Sequence, residues 1–175
     1  NSFSANAGGA LQFFCNNAKG KWQAFGCQLS SGGSTEWLKE TFYEGPDPFG
    51  RINADVEASP AGANNVIFLP YLTGERCPYA DPYARGVFFG LSRLTDKRDI
   101  ARAVMEGVTF GLLDMFELVR TANPGIKLKE VISSGGGSKS AVWRQIQADI
   151  FELPVKTLTG AAEGGAYGAA VVAGV

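Results

Sequence analysis

Three glycine-rich turns hold the residues best suited to meet a ligand in this 175-residue chain. The clearest is Val131-Ile132-Ser133-Ser134-Gly135-Gly136-Gly137-Ser138-Lys139-Ser140, a short apolar run, a glycine triplet and then a helical pattern. At such a junction backbone N–H groups stand free of side chains, and the helix dipole adds to their attraction for an anion. The known phosphate loops do not match. Ser138 stands before Lys139 where a P-loop needs glycine, Ser133 takes its first glycine position, and Ser140 takes the last glycine of a dinucleotide turn. A tight turn that needs positive φ accounts for the triplet equally well. The second turn, Glu163-Gly164-Gly165-Ala166-Tyr167-Gly168, reads first as a closely packed helix start. The third, Ser30-Ser31-Gly32-Gly33-Ser34 before Glu36-Trp37, is a capped helix start that can face a phosphate or a base.

Other chemistry is excluded by what is missing. There is no histidine, so Ser-His-Asp catalysis, imidazole bases and His-ligated metals are out. Cys15, Cys27 and Cys77 are odd in number and far apart, which fits neither a zinc site nor a disulfide framework and points to a reducing, cytoplasmic setting. The loop Gly74-Glu75-Arg76-Cys77-Pro78-Tyr79-Ala80-Asp81-Pro82-Tyr83-Ala84-Arg85-Gly86 reads as a rigid insertion held by prolines and ion pairs. Its carboxylates have no spacing that would mark a glycosidase pair. Sixteen Lys+Arg against seventeen Asp+Glu give no footprint for nucleic acid or an anionic membrane, and the uncharged stretch 164–175 is too short to span a bilayer.

The elements that must position these turns follow from periodicity. Leu11–Cys15 and Trp22–Cys27 flank a polar turn and predict a β-hairpin. Ser34 predicts a cap for a short helix over 35–43, and 46–65 reads as loop or short helix. Val66–Leu69 and Gly86–Leu91 predict strands. Thr95 predicts the cap of a long helix ended by Pro124, in which Ile100, Val104, Val108, Leu112 and Phe116 recur every four residues. Ala103, Gly107 and Gly111 form a small-residue strip along it that invites close packing. Strand 130–134, helix 139–151, strand 154–158 and a helix from Gly165 then give β-α-β-α, hence parallel strands. The chain opens on Asn1 and stops inside an apolar run, so a piece of a longer polypeptide, cut at both ends, is expected.

One longer pattern is more specific. Gly86-Val87-Phe88-Phe89-Gly90-Leu91, then Asp99-Ile100, then Ala103-Val104-Met105-Glu106 resembles the second signature of the FGGY carbohydrate kinases. Phe68–Arg76 and Pro82–Gly86 are similar to that family's xylulose kinase branch. Ser134–Gly137 with Trp143-Arg144-Gln145 and Ala148-Asp149 resembles its adenosine motif, and Gly168-Ala169-Ala170 its closing helix. The resemblance covers most of the chain, least over 1–9 and 46–64.

The resemblance implies an α/β domain of the actin-like, ribonuclease H-like type, a mixed sheet flanked by helices. Residues 1–175 would form most of the C-terminal nucleotide-binding domain, with the N-terminal sugar-binding domain absent. ATP or ADP with Mg²⁺ is the implied cofactor. Gly135, Gly136, Gly137 and Ser140 would approach the nucleotide from one side with Ser134 nearby, and Gly32 and Glu36 from the other, the adenine lying towards Ser140 and Glu36. No catalytic or metal-binding residue is assigned within the chain, because the family's catalytic Asp and phosphate loop are expected upstream of residue 1. The implied reaction moves the γ-phosphoryl of ATP to a pentulose, D-xylulose first. Gluconate or glycerol kinases and a non-catalytic nucleotide module are the alternatives. The hairpin would pair with upstream sequence in one sheet with the parallel strands. An open hairpin edge invites a homodimer or aggregation.

Overall fold

A computed structural model describes residues 9–160 and 164–174. Its strands are β1 (Gln12–Cys15), β2 (Trp22–Phe25), β3 (Ile67–Leu69), β4 (Val87–Phe89), β5 (Val131–Ile132) and β6 (Val155–Lys156). Its helices are α1 (Ser31–Phe42), α2 (Pro48–Ala58), α3 (Lys97–Ala122), α4 (Ala141–Phe151) and α5 (Gly165–Ala173), with single 3₁₀ turns at Ala63–Asn65 and Gly136–Lys139.

The long helix α3 organises the rest, with α1, α2, α4 and β3 packed against it. Leu38 of α1, Ile52 and Val56 of α2, Phe68 of β3, Val104 and Val108 of α3, and Trp143 and Ile146 of α4 meet in one core. Fully burying each such aliphatic or aromatic side chain stabilises by about 1.5–3 kcal/mol. The small-residue strip serves as expected. A Cβ on Gly107 would stand 2.1 Å from the Phe68 carbonyl oxygen, and one on Gly111 2.2 Å from Gln28 Nε2. Strand β3 therefore crosses α3 at a distance that only glycine allows. Phe68 in turn stacks on Trp37 with ring centroids 6.1 Å apart and packs on Phe88 at 4.6 Å.

The start of α3 lies one residue beyond the expected Thr95. Asp96 caps it, accepting from Arg98 N at 2.8 Å and Asp99 N at 3.4 Å, while Asp99 Oδ2 accepts from Asp96 N at 3.3 Å. Thr95 is spent on the preceding turn, where its Oγ1 accepts from Ser92 N. Hydrogen bonding to Arg98 holds the Asp96 carboxyl below the usual aspartate range. Asp99 is buried and accepts from Ser59 Oγ (2.7 Å) and Asn64 Nδ2 (2.9 Å), tying the end of α2 to the start of α3. Nearby, Arg102 Nε donates to Glu106 Oε1 at 2.7 Å, its Nη1 donates to the carbonyls of Val56 and Ser59, and Glu106 also accepts from Gly62 N.

Several expectations need correction. Helix α1 begins at Ser31, not 35, so Gly32 and Gly33 lie inside its first turn; Ser34 is fully buried and donates to the Ser30 carbonyl instead of capping. Ser30 does not cap either, because its hydroxyl pairs with Thr73 Oγ1 at 3.0 Å. Of the two alternatives for 46–65, loop or short helix, residues 48–58 take the helix, with Asp47 accepting from Gly50 N and Pro48 in the first turn. Helix α4 begins at Ala141 after the 3₁₀ turn, capped by Ser140. Strands 66–69, 86–91, 130–134 and 154–158 are each shorter than expected.

The hairpin β1–β2 forms with Gln12 opposite Phe25 and Cys15 opposite Trp22, and β5–β6 is parallel. Among the described residues these do not join: there are three separate two-stranded ladders, β3–β4 being the third. Leu11 and Phe13 anchor the hairpin region near Met115, Leu118 and Val119 of α3, whereas β6 rests on α4, so no ladder edge meets the other. Among the described residues, the loop 74–86 is held by a buried carboxylate rather than by ion pairs. Glu75, 3% exposed, accepts from Leu29 N (3.0 Å) and Arg76 N (2.7 Å), and its backbone bridges Asp81. Helix α5 starts at Gly165 as expected; Glu163 lies outside the described residues.

Candidate functional site

Two cavities meet at the glycine turn between β5 and α4. The first, about 490 Å³, is lined by Gly32, Thr35 and Glu36 of α1, Phe49 and Asn53 of α2, Met105 of α3, and Gly136, Gly137, Lys139, Ser140 and Trp143. The second, about 440 Å³, is lined by Ser133, Ser134, Gly135, Leu112, Phe116, Gln147 and Phe151 among others. Gly32, Gly136, Gly137 and Trp143 border both. Of the seven residues singled out in the sequence, Gly32, Glu36, Gly136, Gly137 and Ser140 come together in the first cavity. Ser134 and Gly135 line only the second.

The triplet is three different glycines. Gly135 has φ 78° and ψ −172°, a region that side chains strongly disfavour. A Cβ on Gly137 would lie 2.9 Å from the Trp143 ring. At Gly136, as at Gly135 and at Gly32 on α1, a Cβ would meet nothing within 4 Å, but within the triplet only Gly136 combines that open space with a backbone a side chain can adopt and a place on the first cavity. Ser138 Oγ closes the turn by donating to the Gly135 carbonyl at 2.7 Å, and Arg144 donates to the Ser138 carbonyl.

Trp143 forms part of the wall and is fixed from behind. Its Nε1 donates to Thr109 Oγ1 at 3.1 Å, and that hydroxyl donates to the Met105 carbonyl at 2.7 Å. Ser140 Oγ accepts from Trp143 N at 3.1 Å and donates to Asn53 Oδ1 at 2.8 Å, which links α4 to α2 across the cleft. At the rim, Glu36 pairs with Lys39, whose Nζ lies 5.4 Å from the centroid of Phe49.

Phe49, Met105 and Trp143 give the cleft an apolar wall, while Thr35, Asn53 and Ser140 give it neutral hydrogen-bonding groups. Its volume falls within the range of small-molecule sites. Among the described residues Glu36 is the one carboxylate in the lining, and it is already paired with Lys39. The cleft therefore suits a planar, neutral heterocycle better than acid–base chemistry. The sequence did not single out Thr35, Phe49 or Asn53, and it offered Met105, Lys139 and Trp143 only as parts of motifs. A signal existed: Asp47-Pro48 is a helix start, and Phe49 and Asn53, four apart, share one face of the helix it opens.

The profile of the FGGY family of carbohydrate kinases, C-terminal domain, matches residues 3–175. The chain belongs to this family. It is 42% identical over 163 residues to the xylulose kinase of Staphylococcus epidermidis, a match that takes in 93% of this chain and 32% of that enzyme. It is 40% identical over 165 residues to the xylulose kinase of Bacillus subtilis, covering 94% of this chain and 32% of the relative. The crystal structure of xylulose kinase from Rhodospirillum rubrum superposes with a TM-score of 0.80 at 27% identity, over 97% of this chain and 35% of that one. The α/β fold of the actin-like sugar kinases is thus this chain's fold. The chain spans about a third of the length of these relatives.

Sugar kinases of this family use ATP and ADP. The base and ribose end of such a molecule fits the lining. Mg²⁺ finds no ligand set there, and among the described residues no cluster of three or more acidic or thiol side chains gathers. No helix among them is long and apolar enough to cross a membrane.

Proposed function

We propose that this chain is the nucleotide-binding domain of an ATP-dependent sugar kinase, and that the parent enzyme transfers the γ-phosphoryl of ATP to D-xylulose. One observation carries the reading. Gly32 and Glu36 of α1 and Gly136, Gly137 and Ser140 of the β5–α4 turn lie far apart in sequence and line one cleft. Similarity to xylulose kinases at 40–42% supports the choice of sugar. Ser134 and Gly135 serve from behind, by shaping the turn.

Phosphoryl transfer depends mainly on positioning and on stabilising charge, which suits a histidine-free chain. These residues hold the nucleoside. Mg²⁺ travels with the phosphates, and the carboxylate that accepts the sugar proton belongs to another part of the polypeptide, since Glu36 is engaged with Lys39. The 175-residue chain alone is accordingly inactive. The reading carries a cytoplasmic setting, in keeping with three free cysteines. It also carries pairing with a second copy along the hairpin, where β2 is exposed throughout.

The test is a coupled ADP-release assay with D-xylulose, D-gluconate and glycerol, run on this chain and on the full-length polypeptide. Turnover by the full-length protein with D-xylulose foremost is expected. Sugar-dependent turnover by the 175-residue chain, or none by either, would overturn the reading.

A further inference from the structure

The hydrogen bonds around Ser140 leave it little to offer a ligand. A serine hydroxyl has one hydrogen. Here that hydrogen goes to Asn53 Oδ1, and one lone pair takes the Trp143 N–H that caps α4. Ser140 therefore faces the cleft as an acceptor only. Asn53 is the reverse case. Its Oδ1 keeps a second lone pair, and its NH₂ group carries two hydrogens with no acceptor among the described residues. It is half-buried on α2, on the same lining as Phe49 and Trp143.

A carboxamide with a free N–H and a free oxygen lone pair pairs with one edge of adenine, giving to N7 and accepting from the N6 amine. Guanine presents acceptors at both those positions, so the carboxamide oxygen would face O6 without a hydrogen between them. Ser140 fixes which end of the amide is which, because its hydroxyl hydrogen is turned to the oxygen. We infer that Asn53 is the residue that reads the base, and that Ser140 acts as its positioning residue rather than as a direct donor. This rests on the proposed nucleotide cleft and adds to it the residue that discriminates among nucleotides.

The probes are ADP, 7-deaza-ADP, 1-deaza-ADP and GDP, measured by calorimetry on the full-length protein and on its Asn53→Leu, Asn53→Asp and Gly136→Val variants. Wild type should bind 7-deaza-ADP and GDP about fivefold or more weakly than ADP, the lower end of a bidentate contact, and 1-deaza-ADP like ADP. Asn53→Leu should bind ADP and 7-deaza-ADP alike. Asn53→Asp keeps an acceptor for Ser140 while losing the donor, and should show the same loss of discrimination even where the leucine variant folds poorly. Equal binding of ADP and 7-deaza-ADP by wild type overturns the assignment, and so does an unchanged preference in Asn53→Asp. If Gly136→Val weakens ADP binding about fivefold or more in that case, the cleft reading survives and only the role of Asn53 falls. If Gly136→Val leaves ADP binding intact, the cleft reading falls with it.

Discussion

Replacing the three adjacent glycines one at a time should give three different outcomes. Gly136→Val adds its side chain where a Cβ meets nothing within 4 Å, at a backbone conformation open to any residue. Folding stability should therefore change by no more than about 0.5 kcal/mol, as for a surface substitution. The same side chain intrudes on a cleft of about 490 Å³. Overfilling a fitted space costs about 1–3 kcal/mol, so ADP affinity should fall roughly 5- to 150-fold. Gly137→Ala acts the other way. Its Cβ would sit 2.9 Å from Trp143, which cannot retreat without losing its 3.1 Å bond to Thr109. A stability loss of about 1–3 kcal/mol follows, or about 2–12 °C in melting temperature for a chain of this size. Gly135→Ala should cost a similar amount for a different reason, since φ 78° with ψ −172° is closed to alanine. Thermal melts and ADP titrations of the three variants give the comparison. The reasoning is refuted if Gly136→Val melts many degrees lower, or if Gly135→Ala and Gly137→Ala melt like wild type.

Three further outcomes are expected. Arg102→Ala should destabilise by about 3–5 kcal/mol, because it strands the buried Glu106 carboxylate, whereas Arg102→Met with Glu106→Leu should recover most of the loss in urea unfolding. Gly107→Ala should lower the melting temperature at least as much as Gly137→Ala, since its Cβ would meet the Phe68 carbonyl at 2.1 Å; a melt like wild type would mean that β3 does not cross α3 there. The Asp96 carboxyl is held low by its bonds to Arg98 and to the backbone, so the stability it contributes is present above its ordinary value of 3.8 and is lost as pH falls through the lower folded value. Asp96→Asn should accordingly flatten the acid limb of the stability–pH curve below about pH 4, and an unchanged limb would remove Asp96 from the account.

What the sequence revealed depended on how local the cause was. Helix α3 was legible because its apolar residues recur every four positions and its strip of Ala103, Gly107 and Gly111 has one meaning, a close neighbour. The hairpin was legible from two apolar runs about a polar turn. Its failure to join β5–β6 was not, because ladder pairing is decided by where each piece rests on α3 and α4. The start of α1 was misplaced because Ser30 and Ser34 both suit a cap in isolation. Tertiary contacts spend one on Thr73 and bury the other. In the cleft, the glycines announced themselves, while Asn53 did not: in a stretch read as loop or short helix, the start at Asp47-Pro48 marks which face it shares with Phe49, but not that this face meets Ser140.

The most direct test of the cleft is an amide NMR titration of the uniformly labelled chain with ADP. The account predicts that resonances of Gly32, Glu36, Asn53, Gly136, Gly137 and Ser140 move together on one binding curve, with Ile132, Gln147 and Phe151 of the neighbouring cavity little affected. Shifts confined to Ile132, Gln147 and Phe151, or none at millimolar ADP, would contradict it.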